Sequence, residues 1–162
     1  MRRGGTPVYI IGKHTKAIMT KDSNYFRTEI VEEGRRRHSN YTAEQILDQS
    51  CTKFGASLKG RKDAVKEVLN STSKLPVLVD EGRNIFMFPT ASLKNNDCVW
   101  LAYHHIKFFE ARDDKTYIGF HDGMGIYVNA SENVIDMQYK RTSQLIIYFN
   151  WRNIFGGSSN DY

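Results

Sequence analysis

Apolar residues along this chain come in short runs, and no run keeps a single period for long. Val8 and Ile10, then Ala17, Ile18 and Met19, flank Gly12-Lys13-His14-Thr15. That pattern predicts two short strands and a turn between Thr6 and Thr20. From Tyr25 to Val31, Tyr25, Arg27, Glu29 and Val31 alternate with Phe26, Thr28 and Ile30, the two-residue period of a third strand. Glu32 to Asn40 is polar and basic and reads as a loop. The period then lengthens. Ile46, Leu47, Ser50, Cys51 and Phe54 recur at helical spacing behind Thr42-Ala43-Glu44-Gln45, a capping-box pattern. A helix is predicted over Ala43 to Phe54, with Gly55 as its stop. Gly60 to Leu69 fits helix through Ala64, Val65, Val68 and Leu69, although Lys66 to Leu69 also fits strand.

The second half reads mainly as β-structure. Pro76 to Val79 and Ile85 to Phe88 surround Asp80-Glu81-Gly82-Arg83-Asn84 and predict a hairpin. Cys98 to Glu110, rich in Val, Trp, Tyr, Ile and Phe, reads as one long strand. Thr116 to Phe120 and Ile126 to Asn129 flank a second Gly-containing turn, His121 to Gly125. Ser131 can cap a final helix whose apolar face holds Ile135, Tyr139, Thr142, Ile146 and Phe149, widened by Val134, Leu145 and Tyr148. Many short strands with two or three helices predict an α+β fold with a largely antiparallel sheet. Residues 1–152 read as a single domain and the Gly/Ser-rich residues 153–162 as a tail.

Composition narrows the classes. The chain has 162 residues, 40% hydrophobic and 12% aromatic, enough to bury a core. No apolar run is long enough to cross a membrane, and Met1 to Gly5 lacks the apolar stretch of a secretory signal. Two cysteines, Cys51 and Cys98, favour a reducing, cytoplasmic setting. Lys and Arg number 23 against 18 acids, a net charge of +5. That excess turns attention to where the cations cluster.

The cluster richest in small residues is Lys53 to Lys62. Gly55, Ala56, Ser57 and Gly60 allow close backbone approach, and Lys53, Lys59, Arg61 and Lys62 supply charge. Such a surface suits phosphate oxygens, and a solvated helix–loop–helix junction is the plain alternative. Arg35-Arg36-Arg37-His38 could form an arm for a narrow A·T minor groove, against the plainer solvated loop. Lys140 and Arg141 lie mid-helix; for Lys140 a solvated face is the simpler reading.

Other chemistries find less support. Cys98, His104, His105 and His121 match no metal-ligand spacing, and in a strand His104 and His105 would point to opposite faces. Alternation puts His104 with Trp100, Ala102, Ile106 and Phe108, as a core histidine. Cys51 and Cys98 carry no local motif of a nucleophile, and no phosphate loop is present. No enzyme, cofactor or metal is expected. Trp100, Tyr103, Phe108, Phe109, Tyr117 and Phe120 could stack unpaired bases on an open sheet, giving an alternative as an RNA or single-stranded-DNA module. Core packing is the cheaper account of them.

Several segments, in order, resemble the ComK family of competence transcription factors. They are Gln45 to Cys51, Phe54 to Ser57, Gly60 to Lys62, Pro76 to Asp80, Ile85 to Thr90, Cys98 to Trp100, His104 to Phe109 and Tyr139 to Thr142. The resemblance covers roughly residues 45–149. It implies a cytoplasmic, nucleoid-associated activator that binds paired A/T-rich boxes in duplex DNA, largely through the minor groove, upstream of DNA-uptake genes. It further implies homo-oligomers on DNA, contact with RNA polymerase and a degradation adaptor. On this reading Lys53, Ser57, Lys59, Gly60, Arg61 and Lys62 contact DNA. Arg141 joins them through the matched Tyr139 to Thr142 segment. Gly34 to Thr42 departs from the family pattern, so no role for Arg35 to Arg37 carries over. Longer members run on past the last helix, which implies a divergent or shortened paralogue.

Overall fold

The computed structural model describes residues 7–92, 95–152 and 155. Nine strands and three α-helices form an α+β fold with two antiparallel sheets among these residues. The larger sheet has the order β3-β2-β1-β6-β5-β4, from β1 (Thr15–Thr20), β2 (Thr28–Glu32), β3 (Arg35–Ser39), β4 (Val77–Asp80), β5 (Ile85–Pro89) and β6 (Val99–Ala102). The smaller sheet is β7 (Ile106–Arg112), β8 (Lys115–Phe120) and β9 (Gly125–Val128), in that order. The helices are α1 (Ala43–Lys53), α2 (Leu58–Leu69) and α3 (Glu132–Trp151).

Two-residue alternation sorts the large sheet into two buried faces. On one, Ile18, Ile30, Val77, Met87 and Trp100 pack with Ile46, Leu47 and Cys51 of α1. On the other, Ala17, Val31, Phe88 and Leu101 meet Ile118, Phe120 and Ile126 of the small sheet and Ile135 of α3. A third cluster, Val65, Leu75, Leu78, Phe86 and Leu145, joins α2 and α3 to the β4–β5 hairpin. Removing such side chains from water drives the layers together. One polar tie also crosses between the sheets. Lys16, 2% exposed on β1, reaches Asp122 in the β8–β9 turn at 2.7 Å and holds its carboxyl below the usual range.

Both Gly-turn hairpins form as their patterns predict. So does the α1 start: Thr42 Oγ1 accepts from Gln45 N, and Gln45 Oε1 accepts from Thr42 N. Gly55 follows the helix at φ +90°, a conformation open to glycine at little cost. The ambiguous segment is helix, started by Ser57, whose hydroxyl accepts from Gly60 N at 3.0 Å.

Four readings change. Val8 to Ile10 is not a strand. That segment is tied by side chains instead: Tyr9 bonds Thr15 and Glu32, and Ile11 N donates to Ser50 Oγ of α1. Thr6 lies outside the described residues. The basic stretch after Glu32 is not a loop but holds strand β3, paired along its length with β2 across a two-residue Glu33-Gly34 turn. Gly34, at φ +79°, makes that turn possible. Cys98 to Glu110 is two strands, parted by a 3-10 turn at Tyr103–His105 as the chain passes from one sheet to the other. That break removes the alternation on which a core His104 rested, and His104 is exposed. On α3, finally, Gln138 is fully buried beside Thr142 and Leu145, rotating the buried stripe from the predicted face.

Candidate nucleic-acid interface

The α1–α2 junction is built from both buried and cationic residues. Cys51 is fully buried, and burial pushes its thiol up to about 11, so it is a packing residue. Phe54 is half-buried beneath the Arg83 guanidinium, 5.5 Å from the ring centroid. Lys53 is exposed in the last turn of α1, near that helix's negative end. Beyond the turn, α2 begins with no acid in its first turn, and Lys59, Arg61 and Lys62 stand there. Cations at a helix N-terminus oppose the macrodipole. Carboxylates from other elements offset part of this: Asp48 Oδ1 accepts from Leu58 N at 3.1 Å, and Glu44 lies 3.9 Å from Lys62 Nζ.

The cations of α2 differ in freedom. Lys59 is 87% exposed and bonded to Asp63 at 3.0 Å, which holds the Asp63 carboxyl below its usual range. Arg61 is only 18% exposed. Its Nη1 lies 3.8 Å from Glu81, and its buried Nε has no hydrogen-bond partner. Gly60 lies close under Ser57: a Cβ there would sit 3.1 Å from Ser57 Oγ.

Strand β3 forms a second cationic region, at the open edge of the large sheet. Arg35, Arg36, Arg37 and His38 are all exposed. Arg35 Nε donates to Glu32 at 2.7 Å and Arg36 Nη1 to Glu29 at 2.7 Å. Burial alone would push both carboxyls up; the hydrogen bonds outweigh it and hold them low. Each guanidinium spends one nitrogen on its pair and keeps further donors for another acceptor. Arg37 sits 5.2 Å from the Tyr9 ring centroid, and His38 stacks on Phe26 at 4.0 Å.

The α3 candidates separate. Lys140 is 75% exposed and pairs with Asp136 one turn back at 2.8 Å. Arg141 turns inward. Its Nη1 donates to Gln138 Oε1 at 2.5 Å and Lys74 O at 3.3 Å. Its Nη2 donates to Ser71 Oγ and Ser73 O, each at 3.2 Å. Gln138 Nε2 in turn donates to Lys74 O and Pro89 O. Burial lowers the Arg141 pKa, because no carboxylate repays the lost hydration.

The aromatic candidates also divide. Trp100 and Phe120 are core, and Tyr103 stacks on Tyr139 at 4.4 Å. Phe108 and Tyr117 lie on the open face of the small sheet, together with Tyr127. Phe108 lies flat over Gly119, where a Cβ would come within 2.3 Å of its ring. Arg112 stacks on Tyr117 at 4.0 Å. Tyr127 was missed from sequence; the signal was its alternation with buried Ile126 and Val128 in β9. No cluster of His, Cys, Asp and Glu suited to a metal ion occurs among the described residues. No described helix is long and apolar enough to cross a membrane.

Comparison with known proteins bears on most of the chain. A family model described as ComK protein matches residues 7–153. A Bacillus subtilis (strain 168) protein named competence transcription factor is 35% identical over 147 residues, covering 90% of this chain and 70% of that protein. No solved structure gives a significant match.

Proposed function

Because the chain belongs to the ComK protein family, we propose that it is a transcription activator of competence genes that binds duplex DNA sequence-selectively. The observation that carries this reading is the 35% identity, over 90% of the chain, to a protein named competence transcription factor. The targets are A/T-rich boxes, approached largely through the minor groove, and the protein acts in the cytoplasm, on the nucleoid. It works as a homo-oligomer on DNA, with RNA polymerase and a degradation adaptor as protein partners. It performs no catalysis and needs no cofactor.

The cations divide the work by position. Lys53, Lys59, Arg61 and Lys62 neutralise phosphates, while Ser57 and Gly60 let the α2 start come close. Arg35, Arg36 and Arg37 act from the edge strand of the six-stranded sheet. Arg favours the deep negative potential of a narrow A·T minor groove. Lys140 contributes charge at longer range, and Arg141 acts beside it.

The test is titration of a fluorescent A/T-rich duplex at several stated salt concentrations. Replacing Arg61 and Lys62 together with Ala should weaken binding and flatten the plot of log affinity against log salt by about two, one per lost phosphate contact. An intact fold with unchanged affinity and slope rejects the assignment of these residues. The open aromatic face of Phe108, Tyr117 and Tyr127 favours one second reading, a module for RNA or single-stranded DNA. Competition decides between them: duplex wins under the first reading, single strands under the second.

A further inference from the structure

The Arg141 network holds a guanidinium that has lost part of its water and found only neutral acceptors. The charge around it is one-sided. No Asp or Glu occurs from Val68 to Val79, or from Met137 to Asn150. Contrast Arg61, also largely buried, which faces Glu81, and the more exposed Arg35 and Arg83, which face Glu32 and Asp80. The contacts of Arg141 are also uneven. Its bond to Gln138 is short at 2.5 Å, but those to Ser71, Ser73 and Lys74 run 3.2–3.3 Å. Charge-assisted bonds to an anion are typically about 2.7–2.9 Å. The loop side of the guanidinium is therefore weakly satisfied. It is also reachable, since Ser71 is half-buried and Thr72 and Ser73 are exposed. Two residues of the loop, Asn70 and Lys74, hold positive φ angles of 51° and 50°, conformations that cost a non-glycine residue energy. Gln138, fully buried, fixes the loop from below through Lys74 O.

We propose that Arg141 Nη2 and the Ser71 hydroxyl form a site for a phosphate group, at the far end of α2 from the Lys59, Arg61 and Lys62 cluster. The phosphate takes the place of the long contacts to Ser71 and Ser73, and the Ser71 O–H turns to donate to it. Two sources offer this chemistry, a backbone phosphate of duplex DNA and a free phosphate ion. The first rests on the duplex-binding reading above; the second does not.

Ser71→Asp tests the site by placing a carboxylate beside the guanidinium. Its unfolding temperature should rise by about 2–4 °C, the scale of one added charge-assisted bond in a chain of this size. Its duplex affinity should fall about tenfold, with a salt slope shallower by about one. In a separate arm, inorganic phosphate should raise the unfolding temperature of the wild-type chain more than that of Ser71→Asp. Comparing the two chains cancels the general stabilising action of phosphate on folded proteins. Ser71→Ala, which adds no charge, should show a reduced phosphate response and guards against misfolding of the Asp variant. An equal phosphate response in all three chains, with duplex binding unchanged, overturns the site. A selective phosphate response with unchanged duplex binding supports the site and assigns it to free phosphate. If the wild-type chain binds no duplex at all, the duplex reading fails by itself, and the phosphate arm still decides the site.

Discussion

Strand β3 and the first turn of α2 hold the same kinds of side chain in different ways. On β3, Arg35 and Arg36 stand 65% and 50% exposed and are aimed by carboxylates of the neighbouring strand. On α2, Arg61 is 18% exposed and Lys62 24%, folded back against the body of the protein. Strand β3 displays its basic residues because neither of its faces is covered, unlike β4 at the opposite edge, which is buried along its length. A helix start packed on a second helix draws the stems of its long side chains across apolar surface. The presence of Lys and Arg in a segment is thus a poor measure of the charge it offers a ligand: both segments hold a cluster, but α2 withholds Arg61 and Lys62 while β3 displays its arginines.

The comparison can be broken, and the largest effect should come from β3. Replacing Arg35, Arg36 and Arg37 with Gln should lower duplex affinity on the order of 100-fold and reduce the salt slope by about two to three. Titrations at three salt concentrations measure both, and a loss smaller than that of the Arg61 and Lys62 double variant reverses the ranking. Next comes Arg61→Met, which keeps the apolar stem and removes the buried Nε. Denaturant unfolding should show a gain of about 1 kcal/mol, the cost of an unsatisfied buried donor, while duplex affinity falls about fivefold. A loss of stability would mean that Glu81 matters more than the orphaned nitrogen. Thr42→Ala removes the capping box at the head of α1 and should cost about 1 kcal/mol in the same assay. Its duplex affinity should stay at wild-type level, separating the scaffold from the contacts on it. Smallest is Lys59→Ala. An exposed pair one turn apart contributes little, so the unfolding midpoint should not move and affinity should change less than about threefold. A larger fall would mark Lys59 as the main contact of α2.

Much of the scaffold was legible because its signals are local. Thr42 and Gln45 close their box within one turn, and the two Gly-containing hairpins need only their own residues. Strand β3 was not legible. Its Arg-Arg-Arg-His run has no apolar alternation, since neither face is buried, and the ladder that makes it a strand comes from β2. The run from Cys98 to Glu110 misled for the opposite reason. Continuous β-formers cannot tell one strand from two that belong to different sheets. Within the candidate site, the α2 cations were visible from sequence, but their pairing with Glu44 and Glu81 was not. Those acids sit on other elements. Arg141 was named from sequence, but its network with Gln138 was hidden, because the partners lie more than 60 residues earlier, in the Ser71 to Lys74 loop.

The tie between Lys16 and Asp122 spans 106 positions of chain. Emerging from the ribosome, β1 is made early, yet the acid that neutralises its buried lysine is made late. The element that covers this lysine also brings its partner: Lys16 Nζ lies 4.9 Å from the ring centroid of Phe120, two residues before Asp122. Burial and neutralisation of Lys16 on β1 therefore come in one step, when the small sheet docks. A chain cut short before Asp122 should stay loose and open to proteases, however complete its first hairpins look.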